Sequence, residues 1–167
     1  MSHLDNINNI LSKINMPETL FDKIIRNEIP NWKVWEDENF LAFLTPFPNT
    51  PGMTIVIPKK NPGDYIFSID DNLYLDFMNA TKKVAKILEK AFTTSRIALV
   101  FEGTGVAHVH AKLYPLHGEL ASKTNVWSTH QEFYPEYVGY LTTVEGPKMS
   151  DDDLNKIQKQ IQDAQNK

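Results

Sequence analysis

Apolar residues recur with a helical period in one long segment of the chain. Between Ile69 and about Ala91, leucine, phenylalanine, valine and isoleucine side chains fall about every 3.6 residues, which predicts an amphipathic helix with one buried face. Ser68 and Asp71 have the spacing of a capping box, so we expect this helix to begin beside them. It is the main helix that the sequence predicts.

Five short segments are rich in β-branched and aromatic residues, and they predict strands. The predicted strands cover residues 33–37, 40–44, 53–58, 96–101 and 108–115. The first two are separated by only two residues and predict a hairpin. Because the strands do not alternate regularly with helices, the pattern favours an α+β fold with a central antiparallel sheet of about five strands. The long helix would cover one face of this sheet, which leaves the other face for a site.

Shorter helical patterns lie towards the two ends of the chain. Residues 7–14 place isoleucine and leucine at helical spacing. Thr19 opens a capping box before a short helix predicted over residues 20–27. Ser150 is the predicted cap of a polar helix over about 151–165, whose first turn carries aspartates near the positive end of the helix dipole.

Composition limits the class of protein. The chain has 167 residues, of which 41% are hydrophobic and 23% charged, which is typical of a globular domain with a sizeable core. A formal net charge of −4 argues against stable nucleic-acid or membrane-surface binding. Cysteine is absent, no apolar run could span a bilayer, and residues 1–15 lack the pattern of a signal peptide. We therefore expect a cytoplasmic protein without membrane attachment.

The candidate chemistry lies in the last predicted strand. Residues two apart on a strand share a face, so His108, His110 and Lys112 line one face while the intervening residues are apolar. Two imidazoles and one ammonium pack poorly in a core but suit a phosphate and a nucleophile. The preceding turn, Gly103-Thr104-Gly105, offers backbone amides for an anion.

Three interpretations of this strand remain open on the residues alone. The histidines could have a purely structural role, filling space and forming local hydrogen bonds. A metal site is a second possibility, but two histidines leave the ligand shell incomplete and Lys112 would repel a divalent cation. In the third, a neutral imidazole attacks phosphorus and forms a covalent intermediate, with His110 as the central group.

Several separate blocks of the sequence resemble the histidine triad (HIT) family of nucleotide hydrolases and transferases. Residues 20–30 are similar to the family's opening helix, residues 34–44 to its first hairpin, and residues 51–60 to its third strand. Residues 108–115 stand where the family has three alternating histidines. The resemblance covers most of residues 19–116, so we expect a HIT-like core over 19–118, flanked by an N-terminal extension (1–18) and a C-terminal segment (119–167).

The resemblance implies a homodimer of α+β protomers that binds a nucleotide substrate with its α-phosphate over the histidine strand. His110 would attack that phosphorus, and water would then release a nucleoside monophosphate. Family substrates include dinucleoside polyphosphates and nucleoside phosphoramidates. The resemblance implies no required cofactor and no protein-bound metal, although Mg²⁺ could accompany a polyphosphate. By position, the residues expected to contact the substrate are Leu20, Ile24, Phe43, Thr45, Pro46, Gly103, Thr104 and Gly105.

This sequence also departs from the family pattern. Lys112 replaces the third histidine, Met53 stands where an auxiliary histidine is often found, and Thr45 replaces the acidic residue that holds the ribose. A lysine can hold a phosphate oxygen as a point charge.

Two hypotheses follow. One is an active hydrolase with His110 as nucleophile, His108 as orienting partner, and Lys112 with the loop amides holding phosphate. The other is a catalytically weak nucleotide-binding or scaffolding protein.

The C-terminal segment from Trp127 to Tyr140 is unusually aromatic. In relatives, the C-terminal segment often crosses the dimer. The resemblance therefore suggests that Trp127 and residues 134–140 contribute to an interface or cover the pocket, and packing within one chain is the equal alternative.

Overall fold

The computed structural model describes residues 17–125 and 147–165. The predicted helix near residues 7–14 and the aromatic segment from Trp127 to Tyr140 lie outside the described residues. In chain order, the elements are α1 (Leu20–Ile25), β1 (Trp32–Glu36), β2 (Phe40–Leu44), β3 (Thr54–Pro58), a 3₁₀ turn (Ile66–Ser68), α2 (Asp71–Phe92), β4 (Ile97–Glu102), β5 (His110–Pro115), a second 3₁₀ turn (Gly118–Ala121) and α3 (Asp151–Gln165).

The five strands form one antiparallel sheet in the order β1-β2-β3-β5-β4. This confirms the predicted α+β class and all five predicted strands to within one or two residues at most ends. Directly paired residues share a face of the sheet, and Phe43, Ile55 and Lys112 are paired in succession across β2, β3 and β5. His110, two residues before Lys112 on β5, lies on the same face as Lys112.

The other face of the sheet carries the main core. Val109, which directly precedes β5, packs with Ala111 and Leu113 of β5 in one apolar cluster that includes Phe77 and Leu88 of α2. Leu154 and Ile161 of α3 join the same cluster and are fully buried. The predicted covering of one face by the long helix is therefore confirmed. We call this side of the sheet the core face, and the side that carries His110 the site face.

Two predicted helix boundaries are wrong. Helix α2 is capped by Asp70, whose side chain accepts hydrogen bonds from the amides of Asn72 and Leu73. The Ser68 hydroxyl instead donates to the carbonyl of Tyr65 within the preceding 3₁₀ turn. Helix α1 ends at Ile25 because Asn27 takes a left-handed conformation with φ of 59°, which ends a helix.

The caps of the two other helices are confirmed. Thr19 and Asp22 form a complete capping box at the start of α1. The Ser150 hydroxyl accepts a hydrogen bond from the amide of Asp153 at the start of α3. Among the helices that the structure describes, none has the length and apolarity needed to cross a membrane.

Candidate active site

A cavity of about 230 Å³ lies on the site face, beneath helix α1. Its walls come from α1, the segment leading into β1, the strands β2, β3 and β5, and the loop that precedes β5. The residues that line it are mostly apolar: Leu20, Phe21, Ile24, Ile29, Pro30, Asn31, Trp32, Phe43, Leu44, Thr45, Pro46, Phe47, Ile55, Thr104, Gly105, Val106, His110 and Lys112. An apolar cavity with a few convergent polar groups is the usual form of a small-molecule site.

His110 is the titratable group at the centre of this site. Its Nδ1 lies 2.9 Å from the backbone carbonyl oxygen of His108. A carbonyl can only accept a hydrogen bond, so Nδ1 carries the proton and donates it. The neutral ring then has its lone pair on Nε2, the atom that could act as a nucleophile or base.

The surroundings of His110 keep its ring neutral. The side chain is only 3% exposed, and this burial lowers the pKa of His110 below its ordinary value because it penalises the charged form. The bond to the His108 carbonyl and the charge of Glu102 act in the opposite direction, whereas Lys112 lowers the pKa further. Near neutral pH the group is therefore an unprotonated imidazole with a fixed tautomer.

His108 supports His110 through its backbone, while its own side chain is engaged elsewhere. Its Nε2 donates to the carbonyl of Pro58 at 2.9 Å, and the residue is fully buried. The Nδ1 atom has no hydrogen-bond partner among the described residues. Burial also lowers the pKa of His108. Its imidazole does not line the cavity, so the orienting contact to His110 comes from the His108 carbonyl rather than from the ring.

Phe21 of α1 holds both imidazoles in place. Its ring makes edge contacts with the rings of His110 and His108, at centroid distances of 5.3 and 5.6 Å. It also contacts Phe43 of β2 edge-on at 5.8 Å. The capping box at Thr19 fixes the start of the helix that carries Phe21, which links a local sequence signal directly to the geometry of the site.

Lys112 is paired with a carboxylate that the sequence did not identify as part of the site. Its Nζ lies 2.6 Å from Oε2 of Glu102, and the two side chains are only 9% and 15% exposed. Glu102 pairs with His110 in the β4–β5 register, so both residues belong to the site face. The ammonium that the sequence assigned to phosphate already has a counter-charge.

The loop before β5 is held by the loop that follows β3. A Cβ atom on Gly103 would lie 1.6 Å from the carbonyl oxygen of Asp64, so only glycine fits there. The amide of Val109 donates to the carbonyl of Gly63 at 2.7 Å. Gly105 has a φ of +80°, which also favours glycine. These restraints fix the backbone that leads into the histidine strand.

The predicted contact residues separate into two groups. Most of them line the cavity: Leu20, Ile24, Phe43, Thr45, Pro46, Thr104 and Gly105. Gly103 does not, because it packs against Asp64. The hydroxyl of Thr45 is buried and accepts a hydrogen bond from the amide of Phe47 at 3.2 Å.

Other lining residues were not identified from the sequence. Phe21 lies between the predicted residues of α1, where its helical position could have indicated it. Asn31 and Phe47 flank strands and Trp32 begins β1, and no local signal separates such residues from ordinary core. His117 lies outside the cavity and donates to the carbonyl of Pro51 at 2.9 Å. Within residues 17–125 and 147–165, no group of three or more histidine, aspartate or glutamate side chains comes together as a metal site would require.

Comparison with known proteins identifies similar sequences and structures. Residues 26–118 match the sequence model of the HIT domain. A HIT-like protein of Methanocaldococcus jannaschii is 32% identical over 142 residues, which cover 85% of this chain and 97% of that protein. An adenosine 5′-monophosphoramidase of Saccharomyces cerevisiae is 31% identical over 131 residues, covering 72% and 79% of the two chains. The crystal structure of a HIT-like protein from Bartonella henselae has a TM-score of 0.64 at 26% identity and covers 88% of this chain and 96% of its own.

Proposed function

The chain belongs to the HIT domain family, as its sequence blocks predict, and from this premise we propose that it is a nucleotide phosphohydrolase acting at the α-phosphate. The observation that carries the proposal is the fixed tautomer of His110, whose Nδ1 donates to the His108 carbonyl and leaves the Nε2 lone pair available. A neutral, positioned imidazole is the form that can attack phosphorus.

The proposed reaction has two steps. In the first, Nε2 of His110 forms a bond to the α-phosphorus, and the bond from phosphorus to the leaving group breaks. The leaving group departs with the electron pair and takes a proton from water. The resulting nucleotidyl-imidazolium retains its Nδ1 proton, which the His108 carbonyl stabilises. In the second step water attacks phosphorus, the N–P bond breaks, a proton goes to solvent, and a nucleoside monophosphate is released.

The cavity fits the nucleoside part of such a substrate. Its volume of about 230 Å³ lies just below the common range of roughly 300–1,000 Å³ for small-molecule pockets, so it suits one nucleoside rather than a whole dinucleotide. The apolar walls formed by Ile24, Phe43 and Pro46 would contact the base. Thr104 and Gly105, which also line the cavity, would lie near the phosphate.

Relatives support the choice of substrates for a test. The yeast relative is named for hydrolysis of an adenosine phosphoramidate. We therefore propose a nucleoside phosphoramidate or a dinucleoside polyphosphate as substrate, with adenine as the first base to examine. We propose that no cofactor is required, although Mg²⁺ could accompany a polyphosphate.

The test compares the wild type with His110→Ala on an adenosine phosphoramidate and on diadenosine polyphosphates, with AMP release followed by chromatography. We expect His110→Ala to lower the rate by about 10⁴-fold because it removes the nucleophile. His117→Ala is the matched control, since this histidine lies outside the cavity, and its rate should equal that of the wild type. AMP release that persists in His110→Ala would refute the mechanism.

A second candidate function is nucleotide binding with little turnover. The Lys112–Glu102 pair favours it, because the paired ammonium provides less charge to stabilise a transition state at phosphorus. This candidate predicts that the wild type binds AMP but releases none from either substrate, and that Lys112→His raises turnover.

We also propose that the protein forms a homodimer through strand β4. This strand is an edge of the sheet, and no strand in the described residues pairs with its outer side. Leu99 on β4 is an exposed apolar residue at this edge, with 38% of its surface accessible. Light scattering after size exclusion should give twice the mass of one chain, and Leu99→Lys should shift the protein to the monomer.

A further inference from the structure

The cavity contains very little net positive charge for a proposed phosphate site. Among the residues that the structure describes, Lys112 is the only lysine or arginine that lines it, and no aspartate or glutamate of this part of the chain does. The Lys112 ammonium lies 2.6 Å from the Glu102 carboxylate, so the two charges cancel locally. An approaching phosphate therefore meets an ion pair rather than a free cation.

The two histidines add no further charge. Burial lowers the pKa of both His108 and His110, so both rings are neutral near pH 7. The other polar side chains that line the cavity belong to Asn31, Thr45 and Thr104, and all three are uncharged. The described part of the site has a net charge close to zero.

The position of Glu102 ties it to this site rather than to general stability. It ends β4 directly opposite His110, and its partner Lys112 is two residues further along β5 on the same face. A largely buried ion pair contributes little to stability compared with apolar residues of the same size, because desolvation offsets the attraction. A role in recognition accounts for a buried carboxylate beside the proposed nucleophile.

We infer that Glu102 is a specificity-determining residue of the proposed nucleotide site, which it makes selective for a reacting phosphate with one negative charge and an uncharged leaving group. This inference rests on the proposed function. A phosphoramidate monoanion with a neutral amine leaving group satisfies the condition, whereas a polyphosphate brings several more negative charges close to the Glu102 carboxylate. The AMP product, as a dianion, is also repelled, which favours its release.

Binding of AMP and adenosine to the full chain tests the inference by calorimetry, because these ligands differ only in the phosphate. Glu102→Gln keeps the size of the side chain and removes its charge. We expect it to tighten AMP binding by about tenfold, the effect of removing one nearby charge from a partly buried site, and to leave adenosine binding unchanged. Glu89→Gln is the matched control, since Glu89 pairs with Lys86 on helix α2, away from the cavity, and neither affinity should change.

The outcomes separate the inference from the function on which it rests. If Glu102→Gln leaves the ratio of the two affinities unchanged, Glu102 has a structural role only and the inference is wrong, even if the wild type hydrolyses nucleotides. If the wild type binds neither AMP nor adenosine, the proposed adenine nucleotide site fails, and the inference fails with it.

Two further measurements keep the test decisive if Glu102→Gln folds poorly. In the wild type, a site without net positive charge predicts that added salt weakens AMP binding no more than it weakens adenosine binding. A selective loss of AMP binding at high salt would contradict the inference.

Where the wild type is active, Glu102→Asp provides the second measurement because it keeps the charge. This variant should retain the preference for phosphoramidate over diadenosine polyphosphate, and a relaxed preference would also contradict the inference.

Discussion

The two faces of the sheet are formed by the same strands but have different roles. On the core face, the side chains of Val109, Ala111 and Leu113 pack in an apolar cluster with residues of the helices. On the site face, the alternate residues of the same segment, His110 and Lys112, border a cavity and are polar. The comparison shows that one strand can stabilise the fold with one set of residues while the other set provides chemistry. Mutations on the two faces should therefore have separable effects.

The largest expected effect on stability comes from the core face. Phe77 of α2 is fully buried and contacts the rings of Phe40 and Phe101. Phe77→Ala should lower the free energy of unfolding by about 3–5 kcal/mol because it leaves a cavity in the core. Denaturant titration measures this loss. Activity per folded molecule should stay near the wild-type value. A selective loss of activity in the folded variant would show that mutations on the two faces do not have separate effects.

A smaller effect, confined to the site face, should appear as the pH is lowered. The pKa of His110 lies below the ordinary imidazole value of about 6.5 because the ring is buried. We expect kcat/KM to be constant above about pH 6.5. Below the lowered pKa of His110 it should fall about tenfold per pH unit, because the nucleophile becomes protonated. A fall that begins well above pH 6.5 would show that the ring is stabilised in its charged form, contrary to this structure.

The lowered pKa values of His108 and His110 also make the folded state less stable as the pH falls. In the unfolded chain His108 and His110 take up protons below about pH 6.5, while in the folded chain they remain neutral to lower pH. The unfolded state therefore binds more protons in this range, and stability falls as the pH falls through it. The contribution is fully present above pH 6.5. Replacing both histidines with glutamine should reduce this part of the pH dependence.

The smallest effect is expected at the start of α3, which covers the core face. The Ser150 hydroxyl accepts a hydrogen bond from the amide of Asp153. Ser150→Ala should lower the free energy of unfolding by about 1 kcal/mol, the usual value of an N-cap. Thermal unfolding measures this change. Ser150→Asp serves as the control because it restores a capping side chain, and an equal loss in both variants would show that the cap contributes nothing.

Much of the fold could be predicted because its signals are local. The period of apolar residues identified α2, and the alternation from His108 to Leu113 assigned each residue to the correct face. The start of α2 could not be assigned correctly because Ser68 and Asp70 are both good caps, and only the preceding 3₁₀ turn decides between them.

The site was harder to predict where it depends on contacts across the sheet. Glu102 stands in an apparent turn sequence, and its pairing with Lys112 follows only from the register of β4 against β5. The support of His110 by the backbone of His108, rather than by its ring, likewise depends on the conformation of β5. The helical position of Phe21 could indicate that it faces the cavity, but its contacts with both imidazoles depend on how α1 packs over this face.

The central claim is that Nε2 of His110 forms a covalent bond to the substrate phosphorus. The most direct measurement is rapid acid quenching of the wild type with an adenosine phosphoramidate, followed by mass spectrometry of the intact chain and its peptides under conditions that preserve N–P bonds. Our account predicts one added adenylyl group on His110, absent from His110→Ala and present in His117→Ala. Rapid AMP formation with no adduct on any histidine at any quench time, or an adduct on Lys112, would contradict it.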